Sequence, residues 1–216
     1  MKYKDKRYLK QGIHVLACIF TVKNGDFKIL LINRKLEPFR NMWSLVGGAL
    51  YNNETVEDGL RREIFEKSGI KDIELINFGI YSRVDRAPNY RMVALPFITV
   101  IDSEKYEILR ETSHTNDAMW FSISKLPEMA FDHDEIVRDG IKYLKENIER
   151  PKILKNLLPK EFTLPELLKT YEGAMGIKLD RRNFRKKLIT NKVIEDTGKM
   201  QVTKGVKSSK LYRFSL

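Results

Sequence analysis

The stretch that decides the fold is Gly48-Ala-Leu-Tyr-Asn-Asn-Glu54, then seven residues, then Arg62-Glu63-Ile64-Phe65-Glu66-Lys67-Ser68-Gly69-Ile70. Residues 63, 66 and 67 are spaced as i, i+3 and i+4, so their side chains share one face of a helix. Three carboxylates on such a face would suit Mg²⁺ or Mn²⁺, which prefer oxygen ligands. The third residue is instead Lys67, whose ammonium donates hydrogen bonds and does not coordinate a metal. The residues therefore predict a weakened metal site, with Lys67 available to pair with Glu63.

This spacing resembles the box of the Nudix family, which reads Gly, five residues, Glu, seven residues, Arg-Glu-apolar-x-Glu-Glu-x-Gly-apolar. The chain matches every fixed position except residue 67, where lysine stands for the family's last glutamate. In Nudix hydrolases the carboxylates hold metal ions against a diphosphate and activate a water. The resemblance implies a Nudix fold with a degenerate box, no catalytic residues, no bound metal and no cofactor. The box residues concerned are Glu54, Arg62, Glu63, Glu66 and Lys67.

Composition and charge predict two domains and a polyanionic partner. A chain of 216 residues with 42% hydrophobic residues can form one large or two modest domains. Residues 151–216 hold 16 Lys and Arg against 6 Asp and Glu, whereas residues 1–150 hold 24 and 23. Such a basic C-terminal part favours nucleic acid as a partner, the alternative being a generic basic surface.

Cysteine usage and hydropathy point to the cytoplasm. The single cysteine, Cys18, lies in an apolar run and is expected to be a buried thiol. The charged N-terminus is not followed by the apolar segment of a signal peptide, and no apolar run has the length of a membrane span. We therefore expect a cytoplasmic protein without a membrane partner.

Hydrophobic periodicity predicts a mixed sheet and two helices before residue 150. A hairpin is expected from Ile13–Val22 and Phe27–Asn33, with its turn at Asn24-Gly25. The box helix should cover residues 54–68, with Leu60, Ile64 and Phe65 against the sheet. Further strands are predicted at Ile73–Tyr81, Tyr90–Ile101 and Ala118–Ser122. A helix from Asp134 to Glu149, capped by Asp134 and ended by Pro151, carries the apolar stripe Val137, Ile141, Leu144 and Ile148.

The last 66 residues have the order of a winged helix-turn-helix. Thr163 and Glu166 form a capping box for a helix that stops near Gly173 and Gly176. Asp180 caps the next helix, whose residues Phe184 and Leu188 should face inward. Two β-type stretches follow, around Val193–Glu195 and Leu211–Phe214. The chain is thus predicted to be an α+β protein, with a Nudix-like α/β/α sandwich in residues 1–150 and a winged helix-turn-helix in residues 151–216.

In a winged helix the second helix enters the major groove of DNA. Arginine suits guanine, asparagine suits adenine and lysine suits phosphate. Arg181 and Asn183 are the candidates for base contacts, and a solvated basic face is the alternative. Single-strand RNA binding would need exposed aromatic residues, but Phe184 and Tyr212 stand where a winged helix buries them. The other DNA-binding candidates are Thr163, Arg182, Arg185, Lys186, Lys187, Lys204, Lys207 and Lys210.

The whole chain resembles the Nudix-related transcriptional regulators, bacterial repressors or activators in which a defective Nudix domain senses a metabolite. The resemblance rests on the box and on Phe131-Asp-His133, Leu157-Leu-Pro, Phe162-Thr-Leu-Pro-Glu166 and Asp180-Arg-Arg-Asn-Phe-Arg-Lys-Lys187. It implies a homodimer on the inverted repeat of an operator, with ADP-ribose or a pentose as effector. Leu45-Val-Gly-Gly48 lacks the proline of many ADP-ribose-type relatives, so both effector classes stay open.

The effector site is sought among basic and aromatic residues near the box. Trp43 could stack on a ligand or pack in the core, and Asp85 between Arg83 and Arg86 could bind a ligand or form a surface ion-pair cluster. The alternative function is an active hydrolase of ADP-ribose or a related nucleoside diphosphate with a basic accessory domain. The effector-binding candidates are Arg34, Phe39, Arg40, Trp43, Arg83, Asp85, Arg86 and Arg91.

Overall fold

The first two strands form the predicted hairpin. The computed structural model describes residues 11–23, 25–147, 155–202 and 208–215, and places β1 at Gln11–Lys23 and β2 at Asp26–Arg34. Gly25 adopts a positive φ of 79°, which a turn between these strands favours. Residues 15–20 of β1 are all buried, including Cys18, so both faces of this strand are covered. The predicted turn residue Asn24 lies outside the described residues.

Five further strands complete the first sheet: β3 Trp43–Ser44, β4 Val46–Ala49, β5 Ile76–Asn77, β6 Arg91–Val100 and β7 Thr115–Ser122. The order is β3-β2-β1-β6-β5, with β4 also paired to β1 and β7 to β2. Antiparallel β4 places Gly47 opposite Leu16.

The strand predicted at Ile73–Tyr81 is much shorter in the structure. Ile76 and Asn77 pair with Ile98 and Phe97 of β6, and the next position of β6 is Pro96. Proline has no amide N–H to give to the ladder, so regular pairing ends there. Only an isolated bridge at Tyr81 continues it.

The box helix α1 spans Val56–Ser68 and begins one residue after its cap, Thr55. Gly69 ends it in the left-handed conformation, with φ 75°. Leu60 and Ile64 are buried as predicted, but Phe65 is 54% exposed and does not pack on the sheet. Glu54 precedes the helix, which leaves its carboxylate free to reach back across the loop.

Helix α2 spans His133–Asn147, so Asp134 is not its cap as predicted. Asp134 stands in the first turn, 2.9 Å from Arg138. Val137 and Leu144 are buried as expected, and Ile141 is half-buried. Ile148 of the predicted stripe, the predicted last residue Glu149 and the predicted stop Pro151 lie outside the described residues.

The C-terminal elements are β8 Phe162–Thr163, α3 Leu164–Met175, α4 Arg181–Thr190, β9 Ile194–Gln201 and β10 Ser209–Phe214. The strands form an antiparallel sheet in the order β8-β10-β9. Both predicted caps are present, because Thr163 and Glu166 form a capping box and Asp180 accepts from the Asn183 amide. Helix α3 ends at Gly176, not at Gly173.

Gly173 lies within α3, at a position where the hairpin is too close for a side chain. A Cβ there would lie 2.8 Å from Val22 Cγ1 and 3.4 Å from the Gly25 carbonyl oxygen. Residues 20–28 and 100–105 belong to the same compact unit as the described residues from Ile141 onward. The other unit contains the described residues up to Ile19, then 29–99 and 106–140. The domain boundary at residue 150 stays a prediction.

The length and hydropathy of each helix decide whether it could cross a membrane. Throughout the described residues, every helix is too short or too polar to cross a bilayer.

We predict that Gly47→Ala strongly destabilises the first unit. A Cβ at residue 47 would lie 2.9 Å from Leu16 Cα and closer still to the Val15 carbonyl oxygen, and backbone atoms of a central strand cannot move aside. Overpacking of this kind costs about 3 kcal/mol, which urea unfolding would measure. Gly79→Ala is the control, because its Cβ would meet only Tyr81 at 3.6 Å. Equal stability of the two variants would contradict this account of the β1–β4 packing.

Candidate effector cavity and nucleic-acid interface

Glu54 and Arg62 hold the box loop together, as the resemblance implies. Arg62 donates to both Glu54 oxygens, at 2.9 and 2.7 Å, and its guanidinium lies 3.9 Å from the centre of the Tyr51 ring. The Tyr51 amide adds a hydrogen bond of 2.7 Å to Glu54. The hydrogen bond from Arg62 is the main cause that lowers the pKa of Glu54 to about 2. The loop is therefore fixed by an ionised carboxylate.

The carboxylate of Glu63 is buried between two cations. Arg62 Nη1 lies 2.7 Å from Glu63 Oε1, and Lys67 Nζ lies 2.6 Å from Oε2. The second contact is an ion pair without hydrogen-bond geometry, and Lys67 donates a proton to the Gly47 carbonyl oxygen. A Cβ at Gly48 would lie 2.5 Å from the carboxylate carbon of Glu63. Glycine at position 48 thus permits this close approach.

These residues do not fit a divalent cation. Glu54 and Glu63 are engaged by Arg62 and Lys67, and Glu66 is 40% exposed and 3.4 Å from Arg62. Within the described part of the chain, no group of three or more His, Cys, Asp or Glu side chains is placed to hold a metal ion. The ammonium of Lys67 stands where a third carboxylate would be needed.

A cavity of about 350 Å³ opens beside this cluster. It lies between the strands that carry His14, Arg34 and Gly48 and the start of α2, and its wall includes the Lys67 side chain. Its full lining is His14, Leu16, Arg34, Pro38, Leu45, Gly47, Gly48, Ala49, Lys67, Ala87, Pro88, Asn89, Tyr90, Met92, Phe131 and His133.

The charges facing the cavity are positive. Arg34 lies 5.0 Å above the Phe131 ring and donates to the Pro38 carbonyl at 2.9 Å; among the described residues it forms no ion pair within 4 Å. Burial lowers its pKa. Burial also lowers the pKa of His14 to about 4, and the charges of Arg86, Lys67 and Arg34 add to that effect. The cavity would therefore favour an anion.

His133 is a neutral member of the cavity wall. Its Nδ1 accepts a hydrogen bond of 3.1 Å from the Leu45 amide, so the proton of the neutral ring is on Nε2. Burial lowers its pKa well below the ordinary value. The ring can therefore donate one hydrogen bond without adding charge.

Of the residues predicted to bind an effector, some lie at the cavity and others do not. Arg34 lines the cavity, and Phe39 packs at 4.7 Å against Phe131, which also lines it. Arg86 is buried in a two-bond pair with Asp132, at 3.0 and 2.8 Å.

The remaining candidates contact other residues. Arg40 lies 3.9 Å from Glu37, Trp43 packs at 4.6 Å on Phe121, Arg83 pairs with Asp85 and Glu135, and Arg91 donates to the carbonyls of Arg83 and Met92. The sequence did not predict four residues of the cavity wall: His14, Tyr90, Phe131 and His133. Phe131 and His133 belong to the motif Phe131-Asp-His133, which the resemblance to the regulator family had already singled out.

Helix α4 presents a basic face to solvent. Phe184 and Leu188 are buried as predicted, and Arg181, Arg182, Asn183, Arg185, Lys186 and Lys187 are all exposed. A groove of about 740 Å³ separates the start of α4 from β10 and is lined by Arg181, Arg182, Arg185 and Lys210 among others. Its positive charge would suit a phosphate backbone.

Several of the predicted DNA-binding side chains contact other residues of the protein. Arg185 donates to the Tyr212 hydroxyl at 3.2 Å, and Lys210 lies 2.7 Å from Asp196, whose carboxylate raises the pKa of Lys210. Thr163 is buried, and its hydroxyl donates to Glu166, so its side chain does not reach the surface. Lys204 and Lys207 lie outside the described residues.

We predict that Glu54→Gln lowers stability at neutral pH but not in acid. The pKa of Glu54 falls from 4.5 to about 2 on folding, so the contribution of its carboxylate is complete above pH 4.5 and is lost as the pH falls to about 2. Thermal unfolding across this range would show the two proteins converging. The exposed carboxylate in Glu128→Gln serves as control. A constant difference between wild type and Glu54→Gln at every pH would contradict the assignment.

Comparisons with known proteins agree with both parts of the chain. The NUDIX domain model matches residues 12–140, and the model of the NrtR DNA-binding winged helix domain matches residues 155–214. The ADPR responsive transcriptional repressor NtrR of Acinetobacter baylyi is 27% identical over all of this chain and 86% of its own length. The ADP-ribose pyrophosphatase of Methanocaldococcus jannaschii is 33% identical over 66% of this chain and 83% of its own length.

A crystal structure of Shewanella oneidensis NrtR complexed with a 27mer DNA has a similar fold. It covers 94% of this chain and 93% of its own, with 21% identity and a TM-score of 0.73. The fold class predicted from the sequence is thereby confirmed. The chain belongs to the Nudix family, as a member whose Nudix domain is followed by a winged helix domain of the NrtR type.

Proposed function

We propose that this protein is a transcriptional repressor that binds operator DNA through α4 and the β9–β10 wing and responds to an ADP-ribose-like effector in its Nudix domain. The observation that carries the proposal is the exposed basic face of α4 beside a basic groove. In a winged helix this is the element that enters the major groove.

The recognition helix has separate groups for base and phosphate contacts. Arg181 and Asn183 stand in its first turn, the part that reaches base edges, and their side chains are exposed. Lys186 and Lys187 follow one turn later and suit phosphates. Lys210 on the wing would add affinity that depends on salt and little on sequence. The other wing candidates, Lys204 and Lys207, remain proposals from the sequence alone.

The cavity favours the ADP-ribose type of effector over a pentose. A pentose is uncharged, and the cationic groups Arg34 and Lys67 would give it little beyond hydrogen bonds. A diphosphate gains from both charges, and the Phe131 ring offers an apolar surface to a base or a sugar. Cavities that bind small molecules usually measure about 300–1,000 Å³, which includes this one. The A. baylyi relative named as ADPR responsive supports the same choice.

The state of the box supports a loss of hydrolysis. With Glu63 held by Arg62 and Lys67, the carboxylates needed to hold a metal and activate a water are already neutralised. The second candidate function is a hydrolase of ADP-ribose. It is favoured by the 33% identity to the M. jannaschii pyrophosphatase and by the intact Glu54–Arg62 brace.

Assembly and location complete the proposal. A homodimer would place two winged helices on the two half-sites of an inverted repeat, as a two-fold protein on a palindrome requires. The effector would act through its different affinity for the DNA-binding and the released states of this dimer. A repressor of this kind works in the cytoplasm, where its DNA is.

We predict that Arg181→Ala with Asn183→Ala strongly reduces the preference for operator DNA. Wild type should bind DNA upstream of its own operon about 10³-fold more tightly than unrelated DNA at near-physiological salt. Each good base contact contributes about 1–3 kcal/mol, so the double variant should lose at least about tenfold on the operator and little on unrelated DNA. Fluorescence anisotropy would measure both.

Lys71→Ala is the control for this pair, since it removes one exposed charge outside the winged helix. An unchanged operator preference in the double variant would remove α4 from the role of recognition helix. Equally weak, steeply salt-dependent binding of wild type to both DNAs would remove the repressor assignment.

We predict that turnover of ADP-ribose with Mg²⁺ stays at the level of the uncatalysed reaction, because no free carboxylate pair remains in the box. Chromatographic detection of AMP would measure it. The control is Glu63→Gln, which removes the central carboxylate. Turnover in wild type that disappears in Glu63→Gln would establish the hydrolase and contradict the inactive sensor.

A further inference from the structure

We propose that Lys67 takes over the part of a divalent metal in this cavity: its ammonium is the fixed cation that receives the phosphate groups of an anionic effector, so the ligand binds without a metal ion. The inference rests on the proposed function and names the residue and the charge that determine its ligand class.

The ammonium of Lys67 is held in place and still has a donor to give. One of its three protons is donated to the Gly47 carbonyl oxygen, and its nitrogen lies 2.6 Å from Glu63 Oε2 in an ion pair. The Lys67 side chain is 13% exposed and lines the cavity. A donor that is fixed before the ligand arrives loses little conformational entropy on binding. A proton that is not donated to Gly47 can therefore be directed at a phosphate oxygen.

The charge of the cluster supports the same conclusion. The part-buried groups of Glu54, Arg62, Glu63 and Lys67 together have no net charge. A glutamate at position 67 would give this cluster a charge of −2, which one divalent cation would neutralise. Lysine supplies the same two units of charge covalently. A diphosphate would then meet a neutral cluster with an ammonium at its surface, and no longer a pair of uncompensated carboxylates.

The rest of the cavity completes a site for an anion. Arg34 contributes a second cation without an ion-pair partner among the described residues, and it lies over the Phe131 ring. Burial is the main cause that lowers the pKa of His14, and the nearby charges of Arg86, Lys67 and Arg34 lower it further. Phosphates would thus lie between Lys67 and Arg34, with the apolar wall beside them.

A purely structural Lys67 would neutralise Glu63 and do nothing else. The two accounts differ in the expected effect of Glu63→Gln. If Lys67 only compensates the Glu63 charge, removing that charge should leave ligand affinity unchanged or weaken it through disorder. If Lys67 binds the phosphates, Glu63→Gln frees its ammonium and should tighten binding of the anion.

The experiment is calorimetric titration of full-length protein with ADP-ribose, in EDTA and in Mg²⁺. Wild type should bind equally well, within a factor of two, in both buffers. Lys67→Met should bind at least about tenfold more weakly, a loss of about 1.4 kcal/mol, and Mg²⁺ should not restore it. Glu63→Gln should bind several-fold more tightly. Lys67→Glu should bind poorly in EDTA and regain affinity with Mg²⁺ or Mn²⁺.

Two controls keep the result interpretable. Lys71→Met removes the same charge from an exposed position outside the cavity and should bind like wild type. Thermal unfolding shows whether Lys67→Met folds, since it leaves the buried Glu63 with one cation fewer; the isosteric Glu63→Gln tests the proposal independently.

Three outcomes would overturn the proposal: a need for Mg²⁺ in wild type, wild-type affinity in Lys67→Met, or no binding of ADP-ribose in either buffer. Operator binding of the same samples is measured in parallel. Operator binding that persists in any of these cases leaves the repressor assignment standing, whereas its absence with intact ADP-ribose binding rejects that assignment alone.

Discussion

The first unit depends on the ion pairs that the buried carboxylate of Glu63 forms with Arg62 and Lys67. It fixes the side chain of Lys67, which reaches the Gly47 carbonyl and so joins α1 to β4. It also sets the close approach of Gly48 to the helix. Removing one partner of a buried ion pair typically costs about 3–5 kcal/mol, because a charge is left without compensation. This cluster therefore holds Lys67 in position in the wall of the cavity.

The same helix illustrates how one residue can change what a scaffold does. The brace of Glu54 and Arg62, the glycines and the apolar contacts of α1 are all kept, so the loop retains its shape. Only the charge at position 67 differs from the family pattern. Under the proposed function, the site keeps the geometry for holding a diphosphate, while the charge at position 67 opposes the chemistry that would cleave one. A sensor needs the first property and is better without the second.

What could be predicted from the sequence follows the range of the interactions involved. The box helix, the Thr163 capping box and the buried face of α4 depend on residues three or four positions apart, which a single sequence displays. The cavity could not be found in this way, because His14, Tyr90 and His133 come from distant segments. Arg86 was expected at the ligand but is buried by Asp132, 46 residues further along the chain. Pro96 of β6 shortens its partner strand β5, which lies about 20 residues earlier in the chain.

The small size of Gly173 has a consequence for how the protein can be dissected. This residue lets α3 lie directly on the hairpin at Val22 and Gly25, and residues 20–28 are part of the C-terminal compact unit. A fragment that begins after α2 would leave this face of α3 in water, and a fragment that ends there would leave the hairpin tip uncovered. Because the packing is shared by segments far apart in the chain, truncation at one peptide bond would damage both halves.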